Sequence, residues 1–386
     1  MNKKNFIYLA RFYPKEVKEF DKIGFKTNFS VNKKVSGVLN SLNSNCNSLG
    51  IVSTSCDIPN YNFRRKLIKF KNFDIYIPNL KKSRIRLFAY ICNIFNSTQV
   101  VNDIYKKNSN TIFISWDCLP DTLLPLLLSK IPRSSICLDI EEEISADPEA
   151  NIFFKLFELI IFKLIKFRYY FLSNENLIRE NKAKNIIING FFAENEPEEE
   201  YILKLLNSYN RKNSDFKVFY SARMDNNRGG DILEALIRKI IQNKQILFNA
   251  VVFGDPKLIN KIMRFNSFPN INIYTNLNRE DYLNIIINSD ICLNLLKNTS
   301  FTKRSFPSKL IEFFIFSKFI ISTHKIYTKH YLNFKYCEYS PNAIFQSIED
   351  IFNIIKNGNY NLSNKDLLIS EYSIKKFNKR FKNFFN

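Results

Sequence analysis

Short runs of β-branched and aromatic residues alternate with longer stretches of helical periodicity along the chain, and no other feature restricts the fold as strongly. The first series of runs is Phe6–Leu9, Gly50–Ser53, Phe73–Ile77, Ile112–Ser115, Ser135–Leu138 and Tyr170–Leu172. The second is Lys217–Ser221, Ile246–Phe253, Ile271–Tyr274, Ile291–Leu295 and Phe319–Ser322. Within the second series Gly229–Gln242, Pro256–Phe265, Arg279–Asn288 and Ser308–Phe316 have helical spacing, and Tyr372–Phe385 reads as a closing helix with five basic residues. Strand-helix alternation builds parallel sheets covered on both faces. The acidic, proline-bearing segment Glu194–Glu200 separates the two series. The expected fold class is therefore α/β, with two doubly wound domains over residues 1–190 and 191–370 and a closing helix over 371–386. In such sheets ligands bind at the carboxyl ends of the strands, where helix N-termini present unpaired N–H groups to phosphates.

A chain of 386 residues, 45% of them hydrophobic, can bury a sizeable core, which excludes a disordered tail or a small stapled peptide. The formal net charge is +21, unevenly spread: 18 Lys and Arg face 5 Asp and Glu in residues 1–100, 11 face 17 in 101–200, and 28 face 14 in 201–386. The partners such charge suits are nucleic acid, phosphorylated small molecules or an anionic membrane surface. The abundance of Asn, Lys, Ile and Phe has the look of AT-rich codon usage, so charge alone does not choose among them. Seven scattered cysteines, never in a C-x-x-C spacing, fit a reducing cytoplasm. With only His324 and His330 in the chain, no cluster has metal-ligand spacing, and neither metal nor cofactor is expected. The N-terminal half has no histidine.

Arg11 ends the apolar run Phe6–Ala10 after five residues, which makes it a strand and not a signal peptide. The most apolar stretch, Asn151–Phe171, is interrupted by Lys155, Glu158, Lys163, Lys166 and Arg168 and is a poor spanning helix. It reads either as a long core helix with snorkelling lysines or as a helix lying in a membrane interface.

Two segments carry chemistry. In Phe306-Pro307-Ser308-Lys309-Leu-Ile-Glu312, a proline beside a serine and a lysine opens a helix able to hold a diphosphate. Glu312 lies one turn beyond Ser308, where a carboxylate can accept from a ribose diol; the plainer alternative is a capped surface helix with a solvated charge. In Tyr220-Ser-Ala-Arg223-Met-Asp-Asn-Asn-Arg228-Gly229-Gly230, a strand runs into a loop whose two guanidinium groups can fork onto phosphate oxygens, or are merely exposed. Val251-Val-Phe253-Gly254 is a buried strand ending at glycine.

Taken in order and spacing, these segments resemble the C-terminal domain of glycosyltransferases of the GT-B fold, in the GT4-like group that includes capsule and O-antigen polysaccharide enzymes. Tyr220–Arg223 with Arg228-Gly229 is similar to that family's Ser-Gly-Arg strand end and its Lys-Gly. Ser289-Asp290-Ile291 is similar to its helix-then-strand segment, and Phe306–Glu312 with Ile320–Thr323 to its Phe-Pro-Ser-Lys-Leu-x-Glu form. Asn32–Val35 before a helix, Asp139–Glu143 after a strand and Asn189-Gly190 at the domain joint resemble the same group more briefly. The chain departs from the pattern at Ala222, at Arg228 in place of lysine, and at Arg304 where many members carry the first glutamate of an E-x7-E pair.

The resemblance implies two Rossmann-like domains facing across a cleft, the acceptor side in residues 1–190 and the nucleotide-sugar donor side in 191–370. It implies that Arg223 and Arg228 stabilise a leaving diphosphate, that the helix start Pro307-Ser308-Lys309 cradles it, that Gly254 belongs to the donor-binding site, and that Glu312 holds the ribose. Fixed cations and backbone dipoles can do this without a metal. The acceptor is then a saccharide, lipid-linked or part of a capsule or O-antigen, and an anionic inner leaflet of the plasma membrane is a candidate surface for the basic first 100 residues. An inverting reaction needs a base near the acceptor, for which the N-terminal half offers only carboxylates: Asp117, Asp139, Asp147 and, first among them, Glu142. The family favours retention, and the missing histidine agrees. Trp116 is either a core anchor or a stacking platform. The rival readings are a nucleotide-sugar epimerase on the same fold and a non-catalytic basic binding protein; no nucleic-acid motif appears, and no nucleic acid is expected as partner.

Overall fold

The computed structural model describes residues 4–14, 16–23, 29–43, 46–54, 62–147, 150–177, 183–188, 190, 216–307, 309–316, 319–325, 333–358 and 372–385. The chain divides into two compact units, one of Met1–Phe192, Arg304–Phe306 and Tyr372–Asn386, the other of Ala193–Lys303 and Pro307–Glu371.

In the first unit β1 (Lys4–Ala10), β2 (Cys46–Ser53), β3 (Lys66–Phe70), β4 (Phe73–Ile77), β5 (Thr111–Trp116), β6 (Ile136–Ile140), β7 (Tyr169–Leu172) and β8 (Lys184–Ile187) form one sheet in the order β3-β4-β2-β1-β5-β6-β7-β8. Every neighbouring pair is parallel except β3 with β4. Helices α1 (Lys18–Ile23) and α2 (Phe29–Leu42) belong to one layer, where Val35, Val38 and Leu39 pack with Tyr8 and Ile51. Helices α3 (Arg86–Lys107), α4 (Pro120–Leu127) and α5 (Ile152–Leu164) belong to the other, where Val101, Leu123 and Ile161 pack with Ile7, Leu9 and Phe113. Because both faces of β1 are covered, its residues are buried without alternation, and so are those of β6 and β7.

The second unit holds β9 (Phe216–Met224), α6 (Leu233–Ile240), β10 (Ile246–Gly254), α7 (Pro256–Met263), β11 (Ile271–Tyr274), α8 (Arg279–Ile287), β12 (Ile291–Asn294), α9 (Lys309–Phe316), β13 (Phe319–Ser322), β14 (Phe334–Tyr336) and α10 (Pro341–Lys356). Its sheet order is β11-β10-β9-β12-β13-β14, all parallel. This is the doubly wound dinucleotide-binding order, which reverses direction between β9 and β12 and so opens a crevice at their carboxyl ends. A final helix, α11 (Ile374–Phe384), returns to the first unit, where Phe377, Phe381, Phe384 and Phe385 join the core beside Phe6, Tyr169 and Phe171.

Several expectations change. β3, β8 and β14 were not foreseen; each is short and lies at or next to a sheet edge, where lysines are tolerated and the apolar signal is weak. Asn32–Val35 lies inside α2 and not before a helix. The stretch 151–171, expected as a core helix or as one lying in a membrane interface, holds the surface helix α5, whose buried residues are Glu158 and Ile161, and β7, which begins at Tyr169. Among the described residues no helix is long and apolar enough to cross a membrane.

Candidate functional site

The carboxyl edge of the second sheet gathers most of the residues singled out above. Arg223 stands exposed near the end of β9, in register with Phe253, and its side chain makes no hydrogen bond or ion pair among the described residues. Beside it Gly254 closes β10 at φ +110°, and a Cβ there would sit 2.9 Å from Arg223 Cγ. Only glycine lets the arginine stem lie against the strand end.

The loop after β9 is tightly specified. Gly230 N–H donates to the Asp225 carbonyl at 3.0 Å, and the Asp225 side chain accepts from Asn227 N–H at 2.9 Å and from Arg228 at 2.6 Å. The buried Tyr220 hydroxyl donates to the Arg228 carbonyl. Gly229 adopts φ +89°, and a Cβ on Gly230 would approach the Asp225 carbonyl oxygen to 2.6 Å. The partly buried Arg228 is thus fixed in direction by its carboxylate and stacked 5.8 Å from the Phe301 ring.

Lys309 opens α9. Its Nζ donates to Ser221 Oγ at 2.8 Å and lies 5.2 Å from the Phe253 ring centre. Burial pushes its pKa down to about 8; Glu312 opposes the fall, and Arg228 and Arg279 add to it. A lysine this poorly solvated, with two guanidinium groups near, gains from an anion. Pro307 accepts from Leu310 N–H at 2.9 Å and starts the helix; Ser308 lies outside the described residues. Glu312, one turn on, accepts from Arg279 and, at 3.3 Å, from the Tyr282 hydroxyl. Arg279 itself lies 5.2 Å from the Tyr282 ring. Sequence reading missed Arg279 and Tyr282: the 33 and 30 residues that separate them from Glu312 leave no local pattern to find. His324 is buried, its pKa lowered by burial and by Lys303.

A second polar cluster lies at the carboxyl edge of the first sheet. Lys34 of α2 donates to Asp139 at 2.8 Å and pairs with Glu141, while the Tyr8 hydroxyl donates to Asp139. Burial pulls the Lys34 pKa down, but the two carboxylates more than offset it and hold the ammonium above its ordinary value. Asp117, at φ +55°, accepts from Glu141 N–H at 2.7 Å, and its N–H donates to the Asp139 carbonyl at 2.7 Å. Burial, then the Glu141 charge, raises its carboxyl well above the ordinary value. Glu142 lies partly buried in the turn after β6, next to this cluster in sequence, whereas Asp139 and Glu141 build it. Asp147 follows one turn of 3₁₀ helix. Trp116 packs against the core, and its indole N–H has no partner among the described residues. Arg304 belongs by its contacts to the first unit, where it pairs with the buried carboxylate of Glu143.

No protein-family model and no curated protein matches the sequence. Solved structures do match over nearly the whole chain. A sucrose-phosphate synthase from Thermosynechococcus elongatus is 12% identical with a TM-score of 0.65, covering 99% of this chain and 98% of its own. A UDP-forming α,α-trehalose-phosphate synthase from Burkholderia xenovorans, in complex with glucose-6-phosphate, is 10% identical with a TM-score of 0.60, covering 99% and 100%. A glycosyltransferase from Rickettsia africae is 15% identical with a TM-score of 0.56, covering 99% and 97%. At these identities the likeness is one of fold: two parallel-sheet units of the GT-B architecture.

Proposed function

We propose that the chain is a retaining, metal-independent glycosyltransferase that moves a hexosyl group from a nucleoside diphosphate sugar to a saccharide acceptor, lipid-linked or part of a growing capsule or O-antigen polysaccharide, at the cytoplasmic face of an anionic membrane. One observation carries the reading: Arg223, Arg228 and Lys309 converge at the carboxyl edge of β9 and β10, beside a helix start and one turn from Glu312. Donor binding then falls to residues 191–370 and acceptor recognition to 1–190, with Glu142 among its carboxylates.

In the reaction the bond from the anomeric carbon to the diphosphate oxygen breaks, a bond to the acceptor oxygen forms, and negative charge grows on the departing diphosphate. In this reading Arg223, exposed near the end of β9, and the Asp225-held Arg228 are the cations that meet that charge, and losing one such group typically costs about 2.7 to 4 kcal/mol in the barrier. Glu312, held by Arg279 and Tyr282, is the carboxylate that this reading assigns to the ribose diol. Retention is supported by the family resemblance and by the absence of histidine from the N-terminal half; the acceptor proton then passes to the leaving phosphate oxygen. The UDP-forming character of the Burkholderia synthase makes UDP the first nucleotide to try.

Thermal stabilisation by UDP, GDP, dTDP, CDP and CMP without added metal tests the reading. A ligand at 100 times its dissociation constant adds about 2.7 kcal/mol to the native state, so one nucleotide should stand out, and Arg223→Ala or Arg228→Ala should abolish its effect. No response from any of the five, with the protein folded, would sink the assignment.

A further inference from the structure

Helices α3 and α5 cover the same face of the first sheet, and each turns a second apolar stripe outward. On α5, Phe153, Leu156, Ile160 and Leu164 recur at spacings of three and four residues, and each is more than half exposed. Residues so spaced share one helix face. On α3, Leu87, Phe88, Ile91 and Phe95 are 66, 52, 43 and 55% exposed. Soluble monomers rarely leave this many large apolar side chains exposed on the helices of one sheet face without a partner to cover them.

The ends of these two stripes carry basic side chains. Arg84 and Arg86 stand exposed where α3 begins, and Lys163, Lys166 and Arg168 stand exposed where α5 ends. Residues 84–98 contain no carboxylate. The one carboxylate of α5, Glu158, is turned inward and fully buried, accepting from Ile144 N–H at 3.2 Å and Ser145 N–H at 2.6 Å. An apolar face with a basic margin complements an apolar phase bounded by anions. A second copy of the same face would set the basic margins of two chains against each other, as a two-fold interface requires.

We propose that α3 and α5 seat the first unit on a bilayer surface containing anionic lipid. Helix α5 lies along the interface, its four outward apolar side chains among the acyl chains, with Arg84, Arg86, Lys163 and Lys166 at the headgroups. The inference names the surface at which the proposed transferase works, but it stands on exposed side chains and not on the reaction.

Sedimentation of the full chain with vesicles is the test. Vesicles of equal phosphatidylcholine and phosphatidylglycerol should carry the protein down, pure phosphatidylcholine should carry less, and added salt should release it. Leu156→Glu with Ile160→Glu, and separately Leu87→Glu with Phe88→Glu, should each weaken binding about tenfold or more. Ile354→Glu, an exposed apolar position on α10 of the second unit, should leave it unchanged. All these positions are on the surface, so each variant should keep the parent's melting temperature and nucleotide response. That readout separates a lost docking face from misfolding and from failure of the transferase reading. Failure of the parent to sediment, equal sedimentation of parent and both double variants, or a concentration-dependent dimer that the same substitutions dissolve would overturn the proposal.

Discussion

Lys309 is the residue whose ionisation reports directly on a bound anion. Its pKa lies at about 8, against an ordinary value of 10.5, so near pH 8 a diphosphate beside it must draw in a proton. Binding should therefore be strongest below pH 8 and weaken as the pH rises past it, by up to about tenfold per pH unit. Calorimetric titration in buffers of different ionisation enthalpy should show proton uptake near pH 8, and Lys309→Met should remove both the uptake and the slope; an unchanged slope in the variant would assign the titration elsewhere. The same shift makes the fold gain stability between about pH 8 and 10.5, because there the unfolded chain binds the proton that the native lysine has already lost. Lys34 is the opposite case: two carboxylates hold its charge so firmly that it titrates with neither stability nor function near neutral pH.

At the level of the element, the turn between β9 and α6 shows what local chemistry makes legible. Two adjacent glycines after an arginine-bearing strand announce a tight loop, and both are needed, Gly229 for its left-handed φ and Gly230 for the approach of the Asp225 carbonyl. Gly229→Ala places a side chain at φ +89° and 2.9 Å from Leu295 Cβ. It should cost about 1 to 3 kcal/mol, read as a lower melting temperature together with weakened nucleotide binding; an unaffected melt would mean the loop relaxes freely. Strands inside the sheets such as β1, β7 and β12 are legible because burial on both faces leaves a nearly unbroken apolar run. The edge strand β3, Lys66 to Phe70, was not, since solvent on one side admits charge. Side chains that meet across long separations escaped notice for a different reason. Neither Lys34 meeting Asp139 nor Arg279 meeting Glu312 has a neighbour in sequence that hints at it, whereas Arg223, Arg228 and Glu312 stand out as candidates because each sits in a motif with its own local geometry.

For the molecule as a whole, the two units carry separate polar clusters at the carboxyl edges of separate sheets, and the proposed division of labour makes them distinguishable. Hydrogen exchange with and without the stabilising nucleotide should show protection in 225–232, 254–257 and 309–312 and none in the strands of the first sheet; protection concentrated in β5 and β6 would reverse the assignment of donor and acceptor sides. The return of α11 to the first unit also sets the order in which this protein can be made. The aromatic plug of Phe377, Phe381, Phe384 and Phe385 completes a core whose other walls are translated by Ile188. At about 5 to 20 residues per second, a ribosome needs roughly 10 to 40 s to cover that gap. For that interval Phe6, Tyr169 and Phe171 wait uncovered, and the second sheet can close first although the first was begun earlier.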